Sequence, residues 1–247
     1  MYHLEELNQL EEAVQASPNN IKPADLDKDG DLDFVLGNLG QNYKFKASAE
    51  KPFHAYCNDF DGNGTFDVFL AKEVEGVQVP VRGRECSSQQ VPHIWTKFST
   101  FNEFANADIN TLLGEGIQGA MHLEAKEFSS GILRNNNGKL ELEKLPTLSQ
   151  ISFINAIEVD DYNEDGMDDL LVAGNLYQSE AETTRADASI GLILLGQKDG
   201  SYQPVSAVDS GVSLPYDVKD MVTIELANDK KRILVAVNDG ALMALDY

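Results

Sequence analysis

The chain has 247 residues, enough for one large domain or two small ones with a sizeable core. Asp and Glu number 41 against 19 Lys and Arg, and the formal charge of −22 repels phosphate backbones and anionic lipid, which excludes nucleic acid and membrane surfaces as expected partners. With 42% hydrophobic residues the chain is no disordered polyanion, no apolar run reaches the ~18 residues that span a bilayer, and two cysteines cannot build a disulfide framework.

In chain order, Leu4, Leu7, Leu10 and Val14 recur at helical spacing, so residues 1–20 are expected to form an amphipathic helical segment. Glu5, Glu6, Glu11 and Glu12 leave no room there for the apolar stretch of a signal peptide. Next comes Asp25-Leu26-Asp27-Lys28-Asp29-Gly30-Asp31-Leu32-Asp33, followed by the apolar run Phe34-Val35-Leu36. The same design returns as Asp59-Phe60-Asp61-Gly62-Asn63-Gly64-Thr65-Phe66-Asp67, between strand-like Phe53–Cys57 and Val68-Phe69-Leu70. Val77–Val81 reads as a further strand.

From Arg84 to Phe128 the period changes. Trp95, Phe98, Phe101, Phe104 and Ala105 recur at three and four residues, Thr100 and Glu103 suit a capping box, and Asp108 suits a second cap. A helical insertion with a buried aromatic stripe is expected there, with Trp95 packed inside it. Strand signals resume at Ser129–Arg134 and Lys139–Glu143. The third acidic segment, Asp161-Tyr162-Asn163-Glu164-Asp165-Gly166-Met167-Asp168-Asp169, lies between Ile151–Val159 and Leu170–Ala173. Ile190–Leu195, Tyr202–Val205, Val218–Leu226, Arg232–Val237 and Ala241–Leu245 complete the predicted strands, separated by short Asn-, Asp- and Gly-rich turns.

Numbered from its first Asp, each acidic segment carries Asp or Asn at positions 1, 3, 5 and 9 and Gly at position 6. Calcium takes six to eight oxygens, so the chain must curl around it, and Gly at position 6 permits the sharp turn. Three repeats of one pattern are hard to ascribe to ordinary polar turns, and about three Ca²⁺ sites are expected. The side chains of Asp25, Asp27, Asp29 and Asp33, of Asp59, Asp61, Asn63 and Asp67, and of Asp161, Asn163, Asp165 and Asp169 are the candidate ligands. The position-7 carbonyls of Asp31, Thr65 and Met167 complete the three sets. An EF-hand needs Glu at position 12, where this chain has Leu36, Leu70 and Val172, so that fold is excluded. The unit is instead strand, calcium loop, strand.

Short strands separated by a recurring Asp-rich turn indicate a mainly β chain built as a partial β-propeller of three to four blades. Residues 21–83 would hold blades with two calcium loops, 84–127 the helical insertion, and 128–247 further blades with the third loop. The loops resemble the calcium-binding half of FG-GAP or VCBS repeats, the units of integrin-α-type propellers. Gly37-Asn38-Leu39-Gly40, Arg82-Gly83-Arg84-Glu85-Cys86-Ser87-Ser88-Gln89-Gln90, Phe104-Ala105-Asn106-Ala107, Leu145-Pro146 with Gln150, Gly174-Asn175-Leu176 and Arg185-Ala186-Asp187-Ala188 make the whole similar to the bacterial cartilage-acidic-protein and ASPIC/UnbV-related VCBS group. The resemblance runs from Ile21 to the carboxyl terminus. It implies a propeller exported to the cell surface or beyond, with recognition or adhesion as its role and a protein or glycan as its ligand. Members carry a signal peptide and further repeats upstream, so this chain is expected to be the carboxy-terminal portion of a longer protein. Its open sheet edges would pair with further blades or a second copy.

No catalytic residue is expected. His3, His54, His93 and His122 show no metal-ligand spacing, no Ser lies in a GxSxG elbow, and no phosphate loop follows a strand. Glu180, Glu182, Arg185 and Asp187 form a polar cluster, read as ion pairs fixing a loop or as a ligand patch, and Arg82 and Arg84 are read in the same two ways. The alternatives to a non-catalytic adhesion module are a carbohydrate-binding or lyase-like calcium propeller and a scaffold subunit. Cys86 reads as a buried thiol, with a Cys57–Cys86 bridge left open. Calcium loops lacking the position-12 Glu belong to the weak range, on the order of 10⁻⁴–10⁻³ M, which suits an extracellular setting.

Overall fold

The computed structural model describes residues 20–179, 183–227 and 230–247, so the predicted amino-terminal helix and Glu180 and Glu182 lie outside the described residues. Among the described residues strand makes up 39% and helix 16%, mainly β, and they form four antiparallel sheets, none of them closed. The chain divides into two compact units. One combines Met1–Lys44 with Phe128–Tyr247, and the other is Phe45–Glu127.

In the first unit, β1 (Asn20–Ala24), β2 (Asp33–Gly37), β7 (Gly131–Asn136) and β8 (Lys139–Lys144) form one sheet in that order. A second sheet is the meander β9 (Ala156–Asp160), β10 (Asp169–Ala173), β11 (Leu192–Gly196) and β12 (Tyr202–Val205). A third holds β13 (Val218–Glu225), β14 (Lys231–Val237) and β15 (Met243–Asp246). All five residues of β10 are buried. Leu170 and Val172 pack with Val35 and Ile132 of the first sheet, whereas Leu171 and Ala173 pack with Val218, Ile233 and Val235 of the third. Alternate side chains of a strand point to opposite faces, so a continuous apolar run marks a strand covered on both sides.

The second unit is the sheet β5-β4-β3-β6, from β3 (Phe53–Asn58), β4 (Asp67–Val74), β5 (Val77–Pro80) and β6 (Met121–Ala125), with four short helices. These are α1 (Arg84–Gln90), α2 (Ile94–Lys97), α3 (Phe101–Ala105) and α4 (Ile109–Leu113). Val91, Ile94, Phe98, Phe104, Ile109 and Leu112 bury one face of the sheet around Tyr56, Phe69 and Ala71. Each fully buried Leu or Ile there contributes roughly 1.5–3 kcal/mol. The two-residue turns Glu75-Gly76 and Asn137-Gly138 have positive φ at both positions, which matches the twist of the strands they join.

The structure corrects several expectations. Residues 121–125 are strand rather than helix, so the stretch 84–127 shares a unit with a sheet. The predicted strand over 151–159 begins only at Ala156, because the Gln150 side chain, buried at the end of a 3-10 turn, binds Ser130 N and O and Leu145 O and holds the chain in a bend. In the aromatic stripe Phe98 and Phe104 are buried, but Trp95 and Phe101 are exposed, with Arg84 stacked 3.8 Å from the centre of the Trp95 ring. Cys57 and Cys86 are not joined in a disulfide, and each is half-buried.

Candidate functional site

Each acidic segment is the turn of a hairpin: β1–β2, β3–β4 and β9–β10. In all three, the position-9 Asp opens the second strand and pairs with the residue just before position 1: Asp33 with Ala24, Asp67 with Asn58, Asp169 with Asp160. All three position-9 carboxylates are buried.

The turns share one hydrogen-bond plan. The position-6 glycine donates its N–H to the position-1 carboxylate: Gly30 to Asp25 at 3.2 Å, Gly64 to Asp59 at 2.9 Å, Gly166 to Asp161 at 2.7 Å. Position 5 donates to the side-chain oxygen of position 3, and position 7 to that of position 5, in each loop. The backbone has positive φ at position 4 (Lys28, Gly62, Glu164) and at the position-6 glycines, with φ between 84° and 98° at the latter. This is the left-handed conformation that favours glycine. The result is a tight coil, and in the first two loops the carboxylate oxygens are drawn together. Carboxylate oxygens of Asp25, Asp27 and Asp29 lie within 4.8 Å of one another, as do those of Asp59, Asp61 and Asp67.

The loops differ at position 9. Asp67 and Asp169 accept the position-2 N–H, from Phe60 at 3.1 Å and Tyr162 at 2.9 Å, and Asp169 also accepts from Gly196 N. Asp33 is instead held by Arg134 Nη1 at 3.0 Å and Asn135 N at 2.8 Å. Loops one and three are tied together: Lys28 Nζ donates to the Gly166 carbonyl at 2.7 Å.

The electrostatics separate the two ends of a loop. Backbone N–H groups, that of Gly64 foremost, hold the Asp59 carboxyl below the usual carboxylate range. Burial pushes the carboxyls of Asp67 and Asp169 up, and the neighbouring loop carboxylates add to that rise. Negative charge is thus concentrated beside buried acids, a field that a divalent cation would relieve. Asp25 Oδ1 is buried and has no hydrogen-bond partner among the described residues. An all-oxygen donor set with an unpartnered buried carboxylate oxygen fits a hard cation.

Arg185 pairs with Asp187 at 2.8 Å on the surface, its guanidinium over Tyr177. Arg84 is buried, and its guanidinium donates to the carbonyls of Phe98, Trp95 and Ser99. It therefore clamps the helices and is not free to bind a ligand. Arg82 is half-buried between β5 and α1.

One cluster has no signature in the sequence. His54 on β3 and His122 on β6 come together with Nδ1 and Nε2 3.0 Å apart, next to Glu124 and Glu73. The ligands lie 68 residues apart, so only the β3–β6 pairing reveals them. Comparison of the chain with family models, with curated proteins and with solved structures finds no match in any of the three.

Proposed function

We propose that this chain is a non-catalytic calcium-binding module of the FG-GAP/VCBS type, its sheets serving as blades of a propeller used for recognition or adhesion outside the cell. The observation that carries the reading is the hydrogen-bond plan shared by the three loops, together with the carboxylate oxygens gathered within 4.8 Å of one another in the first two. Calcium would be held by Asp25, Asp27, Asp29 and the carbonyl of Asp31, by Asp59, Asp61, Asn63, Asp67 and the carbonyl of Thr65, and by Asp161, Asn163, Asp165, Asp169 and the carbonyl of Met167. Asp33 serves the first loop less directly, since Arg134 already neutralises it. Three ions would bring the formal charge from −22 to about −16, and the metal would supply rigidity to each turn. The blade reading is supported by the consecutive meander β9-β10-β11-β12 and by a middle sheet packed on both faces.

Isothermal calorimetry with Ca²⁺ on chelator-treated protein tests the metal assignment, with thermal melts alongside. Near three ions per chain and a calcium-dependent rise in Tm are expected. No binding at millimolar calcium would overturn it.

A second reading, a glycan ligand, is favoured by one observation. An open, polar depression of about 710 Å³ adjoins the third loop, lined by Asp165, Met167, Gln197, Lys198, Asp199 and Gln203. Amides, a carboxylate and a cation beside a metal loop are the groups that bind sugar hydroxyls.

A further inference from the structure

We propose that His54, His122 and Glu124 form a metal site of a second kind, for a divalent transition ion of the zinc class, separate from the three acidic loops. Its placement follows from strand register. In the β3–β6 pair, His54 lies opposite Glu124 and Tyr56 opposite His122, so alternation puts all four side chains on one face of the sheet.

The distances fit a metal. His54 Nδ1 is 3.0 Å from His122 Nε2 and 3.5 Å from Glu124 Oε1, and those last two atoms are 3.9 Å apart. Three atoms so spaced lie on a circle of radius about 2.0 Å, which is the length of a Zn–N or Zn–O bond. Two imidazoles and one carboxylate suit zinc, cobalt, nickel or copper and not calcium, which takes oxygen donors.

The surroundings orient the ligands as metal sites require. The His122 ring stacks on buried Tyr56, 4.3 Å between centroids and 1° between planes. His54 is enclosed, and its far nitrogen lies 3.2 Å from Gln78 Nε2 and 3.8 Å from Glu73 Oε1. In the metal-free arrangement the Gln78 amide donates to His54 Nε2, and His54 Nδ1–H donates to His122. With a metal on Nδ1 the proton would sit on His54 Nε2, which faces the Glu73 carboxylate. An outer carboxylate or amide on the far ring nitrogen is the usual partner of a ligating histidine. His122 and Glu124 are exposed, so three protein donors leave the fourth position toward solvent, open to water or to a donor from a bound molecule.

Zinc calorimetry on the full chain in saturating calcium, with Co²⁺ absorption as a spectroscopic probe, tests the proposal. One zinc per chain and the visible bands of four-coordinate cobalt are expected. His122→Phe keeps the stack on Tyr56 but removes the donor, and Glu124→Gln is an exposed change. Each should weaken zinc by about 100-fold or more while leaving the calcium response unchanged, and Glu124→Gln should also leave the metal-free Tm unchanged. Zinc uptake that is absent, that calcium displaces, or that is equally tight in both variants would overturn the site.

Discussion

Asp25, Asp59 and Asp161 each take the N–H of a glycine five residues on, and one residue type at one spacing thereby sets the shape of three loops. That much was legible in the sequence, because a carboxylate that must bind a backbone amide and a glycine that must adopt positive φ are both chemical requirements of a tight coil. The exchange at Asp33 was not legible: its partner Arg134 is about a hundred residues away and carries no local mark. Tyr162, at position 2 of the third loop, has a buried hydroxyl with no hydrogen-bond partner among the described residues, and burial pushes its pKa well up. A buried unpaired hydroxyl costs stability, so Tyr162→Phe is expected to stabilise the protein by about 1 kcal/mol, a Tm rise of about 2–4 °C in a thermal melt. The ring would keep its edge contact with Tyr247.

At the scale of elements, apolar runs identified the buried strands. Leu170-Leu171-Val172-Ala173 became β10 because both of its faces are covered. Two strands lie outside the predicted set for the opposite reason. β1 contains Pro23, tolerated on an edge strand, and β6 is an edge strand exposed over most of its length, so neither carries a strong apolar signal. The helix caps follow local rules and were readable: Thr100 and Glu103 form the capping box of α3, and the Asp108 side chain accepts from Thr111 N at the start of α4. That bond holds the Asp108 carboxyl below the usual range. The folded protein therefore binds fewer protons there than the unfolded chain, and the cap's contribution is complete above about pH 4 and lost as pH falls through the folded value. Asp108→Ala is expected to cost about 1 kcal/mol at neutral pH, with the gap to the native protein narrowing in urea melts below pH 4.

For the molecule as a whole, the sequence marked a break in period at residue 84, whereas the inserted unit starts near Phe45 and ends at Glu127. The boundary was hidden because Phe53 at its start and Ala125 at its end pair only in three dimensions. Adjacent ends make the unit excisable: residues 45–127 alone are expected to unfold cooperatively. The remainder, joined by a short Gly-Ser linker, should also keep its own transition in calorimetry. Loss of both transitions on separation would contradict this division.

The pairing of β2 with β7 brings together Leu36 and Gly131, roughly 95 residues apart in sequence, and contacts so distant form late. On a ribosome adding about 5–20 residues per second, the nascent β1–β2 hairpin waits some 5–20 s with the inner edge of Phe34-Val35-Leu36 unpaired. During that interval the growing chain exposes an apolar strand edge to neighbouring polypeptides, and quick closure of the inserted unit, whose sheet is completed before β7 emerges, shortens the tether that must then be drawn shut.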